Sequence, residues 1–196
     1  MTPTPEAAPA VTDDGRRSDA RRNHERILQA ALAVFAEKGA DASIPEIAAR
    51  AGVGKATVYR NYPTKADLIS AITRDRLQWL VQRADDAADE ADASAALRAY
   101  TDAVFTHIKS DRALCEALNE DTSPETMALR AGIRARLDTI LVRGQEQGTV
   151  RADVTADELR VLVVGLSEQL HREGVTDRAV WRRYAGLVSD LLRPVP

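Results

Sequence analysis

Residues Ile44 to Asp67 read IPEIAARAGVGKATVYRNYPTKAD, and this stretch decides the fold. Ile44, Ile47, Ala48 and Ala51 recur at helical spacing on one side. Ser43 followed three residues later by Glu46 has the form of a capping box, so a short helix opens at Ile44 and stops at Gly52. A second short helix must fit between Gly54 and Tyr62, because Pro63 disfavours helix at the residue before it. Two short helices joined by Ala51-Gly52-Val53-Gly54 have the make-up of a helix-turn-helix. Gly52 can adopt the positive φ that swings the chain into the second helix, and Ala48 is small enough for a close crossing. Val53 and Val58 are expected to plug the angle, with Tyr62 beside them. The outward face then carries Lys55, Thr57, Tyr59 and Asn61, with Arg60 at its side, groups that can reach phosphates and base edges in a major groove. The same pattern also describes an αα-corner with a solvated polar face. The basic segment in front and the short capped elements favour nucleic acid.

Charge supports that choice. The 196-residue chain carries a net −3, which by itself argues against a polyanion-binding protein. Yet Gly15–Lys65 holds ten basic and five acidic residues, while Ala66 onward holds 17 basic and 22 acidic ones. A basic head on an acidic body fits a first part that meets polyanions and a second part that does something else.

Working outward, residues 1–15 are rich in Pro, Ala and Thr without apolar periodicity and read as a disordered arm. Ile27, Leu28, Ala31, Leu32 and Phe35 form a helical stripe that ends at Gly39. Thr64-Lys65-Ala66-Asp67 opens a long helix through about Glu90, and another is expected near 94–118. Ser123-Pro124 supplies an N-cap and an N1 proline for a helix to about Gly148. Thr155 to Glu158 caps the next, and a last helix covers about 177–193. No segment alternates as a strand would, so the fold is all-α, divided at about 16–64 and 65–196. Aromatic residues make up only 4% of the chain, in keeping with helix.

Several classes drop out. One cysteine, Cys115, makes no internal disulfide and no Cys-based zinc site. His24, His107 and His171 lack ligand spacing, so no metal and no cofactor are expected. Met1–Asp14 has no apolar stretch of a signal peptide, and no run reaches the roughly 18 residues of a membrane span, so a cytoplasmic location away from membranes is expected. Gly54-Lys55-Ala56-Thr57 lacks the upstream glycine of a phosphate loop, position 49 being Ala. Gly165-Leu166-Ser167-Glu168-Gln169 lacks the closing glycine and preceding strand of a nucleophile elbow. No acid/base or nucleophile constellation supports an enzyme.

Ala51-Gly52-Val53, Thr57-Val58-Tyr59, Tyr62-Pro63 and Lys65, with Ile47-Ala48 and Phe35-Ala36-Glu37-Lys38-Gly39 upstream, resemble the N-terminal signature of the TetR family of bacterial transcriptional regulators. The resemblance covers roughly Arg22–Ile69. It implies a three-helix DNA-binding head and a larger helical body that binds a small molecule and dimerises through its last two long helices. Carried over, it places Thr57 and Tyr59 against DNA, Lys55 at a base-reading position and Lys65 on a phosphate. Ser43 or Ile44 would approach the backbone, the alternative for the Ser43 hydroxyl being the cap of its own helix. Asn61 departs from the Tyr or His of many members, and Arg60 occupies a variable position.

The expected protein is thus a homodimeric repressor of a pseudo-palindromic operator, released by a small hydrophobic or amphipathic effector. The alternative is an orphan or activating regulator that answers to a protein partner. Candidate effector-lining residues are Trp79, Tyr100, Phe105, His107, Leu118, Met127 and Trp181, any of which also suits an ordinary core. Leu159, Leu162, Val163, Leu166 and Leu170, with Tyr184, Leu187, Val188 and Leu191, give two apolar stripes for a four-helix dimer interface. Gly165 and Gly186 would let helices approach, though a single-chain core would use the same stripes.

Overall fold

A computed structural model describes residues 13–109 and 123–194. Every regular element among them is helical: α1 (Asp13–Lys38), a 3-10 turn (Gly39–Asp41), α2 (Ile44–Ala51), α3 (Lys55–Asn61), α4 (Lys65–Ala88), α5 (Ala93–Ile108), α6 (Pro124–Glu146), α7 (Ala156–Arg172) and α8 (Arg178–Leu191). Among the described residues no helix is long and apolar enough to cross a membrane. The chain divides into two compact units, one ending at Lys65 and the other beginning at Ala66.

The capping chemistry forms as the residues dictate. At α2 the backbone N–H and the hydroxyl of Ser43 both donate to one Glu46 carboxylate oxygen, at 3.1 and 2.7 Å. Thr155 and Glu158 close the reciprocal box on α7, and the Ser123 hydroxyl accepts from the Thr126 N–H at α6. Asp92 and Asp177 cap α5 and α8 in the same manner. Each such cap contributes about 1 kcal/mol by satisfying an otherwise orphaned donor.

One boundary differs from expectation. α1 begins at Asp13, inside the stretch read as a disordered arm, so residues 13–15 are helical. Extending a helix already nucleated on the Ile27 stripe fixes one residue per hydrogen bond. The pair Arg22–Asp19 and the Arg21–Glu25 pair at 3.7 Å support the extension. Residues 1–12, Cys115, Leu118 and the far end of the helix expected near 94–118 lie outside the described residues.

The first unit packs Ile27, Ala31, Val34 and Phe35 of α1 against Ile44, Ile47 and Ala48 of α2, with Val58 and Tyr62 completing its core. In the second unit α5 is central, touching α6, α7 and most extensively α8. Its core holds Leu97, Phe105, Ile140, Leu141, Leu159, Trp181 and Val188. Gly144 of α6 marks a close crossing, since a Cβ there would lie 2.4 Å from Val150 Cγ2 and 3.0 Å from the Ala93 Cβ.

Candidate nucleic-acid interface

The turn before α3 works through Gly52, whose φ of +64° lies in the left-handed region. Its N–H bonds back to the Ala49 carbonyl at 3.2 Å, and the Val53 N–H to that of Ala48 at 3.0 Å, closing α2. The chain then re-enters helix at Lys55 with Gly54 as N-cap. Val58 is wholly buried and Tyr62 nearly so, which fixes the rotation of α3 about its axis. Val53 is only half-buried, so Val58 and Tyr62 carry most of the plug. The Tyr62 hydroxyl bonds the His24 ring, tying the end of α3 to α1.

That rotation leaves Lys55, Tyr59, Arg60 and Asn61 exposed, with Thr57 half-buried among them. Tyr59 presents 47% of its surface to solvent, unusual for a large aromatic side chain. Arg60 Nη2 lies 3.5 Å from the Thr57 hydroxyl, and the Asn61 amide donates to the Thr57 carbonyl at 2.9 Å. Asn61 thereby spends one N–H closing its own helix. Lys65, at the start of α4, holds its ammonium 5.4 Å from the Phe35 ring centroid.

At Ser43 the capping alternative is the one that forms: its hydroxyl donates to Glu46 at 2.7 Å. Lys38 completes the arrangement by pairing with Glu46. Hydrogen bonds from Lys38, then from Ser43, pull the Glu46 carboxyl down to about 2, and Glu46 in turn raises Lys38. Arg50 forks onto both oxygens of Glu37, locking α2 to α1. Two cations of the basic head are therefore internal fasteners. Lys55 and Arg60 enter no ion pair among the described residues. Sequence spacing gave no sign of these cross-helix pairs, because only the packing of α1 on α2 brings them together. It also passed over Arg26, whose Nη2 reaches the Gly52 carbonyl at 3.4 Å.

In the body, the expected effector residues separate. Trp79 and His107 stack with centroids 4.1 Å apart and, with Asp102, Ala103 and Thr106, line an open hollow of about 430 Å³. Burial, then the nearby Arg76 guanidinium, depresses His107 to about 4, so its ring is neutral near pH 7. Phe105 and Trp181 belong instead to the core: they meet edge to face at 6.3 Å, and the indole N–H donates to the Val175 carbonyl at 2.8 Å. Tyr100 is likewise buried, which raises its hydroxyl above the usual range. These three fill space rather than line it. Met127 sits on the surface of α6, 58% exposed.

The dimer stripes also divide. Leu159, Val163, Leu170 and Val188 are buried within the chain's own core, a correction to their assignment as interface. Leu162, Leu166 and Tyr184 are half-buried, while Leu187 (46%) and Leu191 (52%) stay exposed. Val161, which neither stripe includes, is 60% exposed. A Cβ at Gly165 or Gly186 would meet nothing within 4 Å.

Comparison with known proteins agrees with this geometry. The profile described as "Bacterial regulatory proteins, tetR family" matches residues 27–72. That of "Transcriptional regulator SbtR-like, C-terminal domain" matches residues 92–194. The HTH-type transcriptional repressor LfrR of Mycolicibacterium smegmatis is 39% identical over 88 residues, which span 43% of this chain and 46% of that repressor. A TetR transcription regulatory protein from Mycobacterium vanbaalenii has a similar crystal structure, with TM-score 0.66 and 31% identity over 91% of this chain and 99% of that one. SCO0520, a TetR transcriptional regulator of Streptomyces coelicolor, has TM-score 0.65 and 28% identity over 88% and 99% respectively. A helix-turn-helix with an open polar face, followed by an all-helical unit matched along most of its length, assigns this chain to the TetR family of bacterial DNA-binding transcriptional regulators.

Proposed function

We propose that two copies of this protein, joined through α7 and α8, repress transcription by binding a pseudo-palindromic operator, and that a small amphipathic effector releases them. The observation that carries the reading is α3 itself. Val58 is buried, and the cationic Lys55 and Arg60 and the aromatic Tyr59 are exposed, with Thr57 half-buried among them. Lys65 would hold a phosphate beside them. The partial relative LfrR is named a repressor, which favours repression over activation.

Symmetry supplies the mechanism. Two recognition helices reach successive major grooves when they stand about 34–36 Å apart, one turn of the duplex. Val161, Leu187 and Leu191, with open space over Gly165 and Gly186, supply an apolar face on which a second copy can close. The hollow beside Trp79 and His107 is the proposed effector contact. An effector that binds better to a conformer of the wrong spacing lowers the DNA-bound population by its differential affinity.

Selection of duplexes from a random pool, followed by mobility shift at physiological salt, tests the reading. A palindromic site that outcompetes bulk DNA is expected, and no enrichment would refute it. Leu187→Glu with Leu191→Glu should give monomers in analytical ultracentrifugation and cost at least a hundredfold in operator affinity, in line with losing a factor of ten for every 1.4 kcal/mol. A variant that remains dimeric would place the interface elsewhere.

A further inference from the structure

α1 extends well beyond the core it braces. Its buried residues begin at Ile27, and no residue from Ser18 to Arg26 is buried. Asp13–Arg26 is about 21 Å of helix at about 1.5 Å per residue. Over Ser18–Arg26 the helix is tied to the rest of the first unit at His24, through the Tyr62 hydroxyl, and at Arg26, through the Gly52 carbonyl, while Arg21, Arg22 and Arg26 stay exposed to solvent.

Its cations are placed in register. Arg26 puts its guanidinium at the turn that delivers α3, donating to the Gly52 carbonyl at 3.4 Å and standing 2.7 Å from where a Cβ of Gly52 would be. That bond is long and uses one of five N–H donors. Arg26 enters no ion pair among the described residues. Arg22 lies four residues earlier and so on the same face, one turn further from the helix-turn-helix. It is held by Asp19 and, at 2.5 Å, by the Ser18 hydroxyl. The Arg22–Asp19 pair is exposed at 62% and 60%, and such a pair is screened and readily exchanged for another anion.

We propose that Arg26 and Arg22 form a phosphate-binding row for duplex DNA, carrying the interface of α3 across the Gly52 turn and along α1. The occupant is the phosphodiester backbone. A planar guanidinium matches a phosphate with two parallel N–H donors, and the row is continuous with the face already assigned to DNA. Arg26 turns one N–H to Gly52 and keeps the others for the phosphate; Arg22 exchanges Asp19 for one. Such contacts fix register and add affinity without reading sequence. This inference rests on the DNA-binding reading of α3.

The test uses the full chain and two duplexes: the one that the protein selects from a random pool, and a scrambled duplex of the same length and composition. Binding is followed by fluorescence anisotropy over a salt series. Each phosphate contact contributes about 0.9 to the slope of log K against log salt. With one copy of each arginine per protomer, Arg26→Gln and Arg22→Gln should each flatten the slope by about 1.8, equally on both duplexes. Arg26→Lys and Arg22→Lys should keep the wild-type slope. An unchanged slope in both Gln variants overturns the proposal, as does a loss confined to the selected duplex. Arg26→Lys failing as fully as Arg26→Gln at constant slope would make Arg26 a strut for the turn and nothing more. Arg22→Gln, whose partners among the described residues are Asp19 and Ser18, carries the test if Arg26→Gln disturbs folding. Should the wild type select no duplex, the DNA reading fails; should it select one while the slopes hold, only the α1 row fails.

Discussion

The two units hold their helices in place by different means. In the first, α2 and α3 have eight and seven residues, too short to persist in water alone. They are fastened by the Ser43–Glu46 cap, the left-handed Gly52 and a small apolar core at Ile47, Ala48 and Val58, to which the exposed Lys38–Glu46 and Arg50–Glu37 pairs add little. In the second, helices of 14 to 24 residues lie along one another and are held by a continuous apolar core around Phe105 and Trp181. Surface pairs such as Arg74–Glu125 and Arg134–Asp157 decorate that core and contribute little. Short elements depend on particular residues; long ones depend on how well their faces fit.

The contrast breaks most visibly at Trp181. It is 1% exposed, so Trp181→Ala should cost roughly 3–5 kcal/mol in urea unfolding followed by circular dichroism. A cost near zero would mean that Trp181 lines a ligand space after all. Next comes Gly52→Ala, which forces an L residue into the left-handed region at about 1–2 kcal/mol and pushes aside the Arg26 guanidinium. Thermal unfolding should register that loss, and selected-duplex affinity should fall with it, because the entry of α3 is what the turn controls. Glu46 gives the smallest effect and the sharpest. Its folded carboxyl sits near 2, below its ordinary 4.5, so the Lys38–Ser43–Glu46 cluster stabilises the fold fully above about pH 4.5 and less as pH falls toward 2. The stability difference between wild type and Glu46→Gln should be constant above that window and shrink through it, measured as melting temperature against pH.

Much of the first unit was legible residue by residue. Ser43, Gly52, Pro63 and the buried quartet Ile44, Ile47, Ala48 and Ala51 each act over three or four residues, within the reach of sequence reasoning. One thing escaped it there: Lys38 and Arg50 meet carboxylates 8 and 13 positions away. In the body, Trp79 and His107 are brought together from α4 and α5 by packing alone, while Phe105 and Trp181 look equally suited to a pocket until their ring contact is seen.

The sequence by itself determined the all-helical class, the caps, the glycine turn and the polar face of α3, because each follows from local hydrogen bonding and helical period. Only the tertiary structure decided which side of α7 and α8 turns inward. An apolar stripe wide enough to cover more than one face offers Leu159, Val163 and Val188 on one side and Val161, Leu187 and Leu191 on the other. Nothing local distinguishes the two sides. The packing of α5 against α8 does, and it leaves the second side exposed.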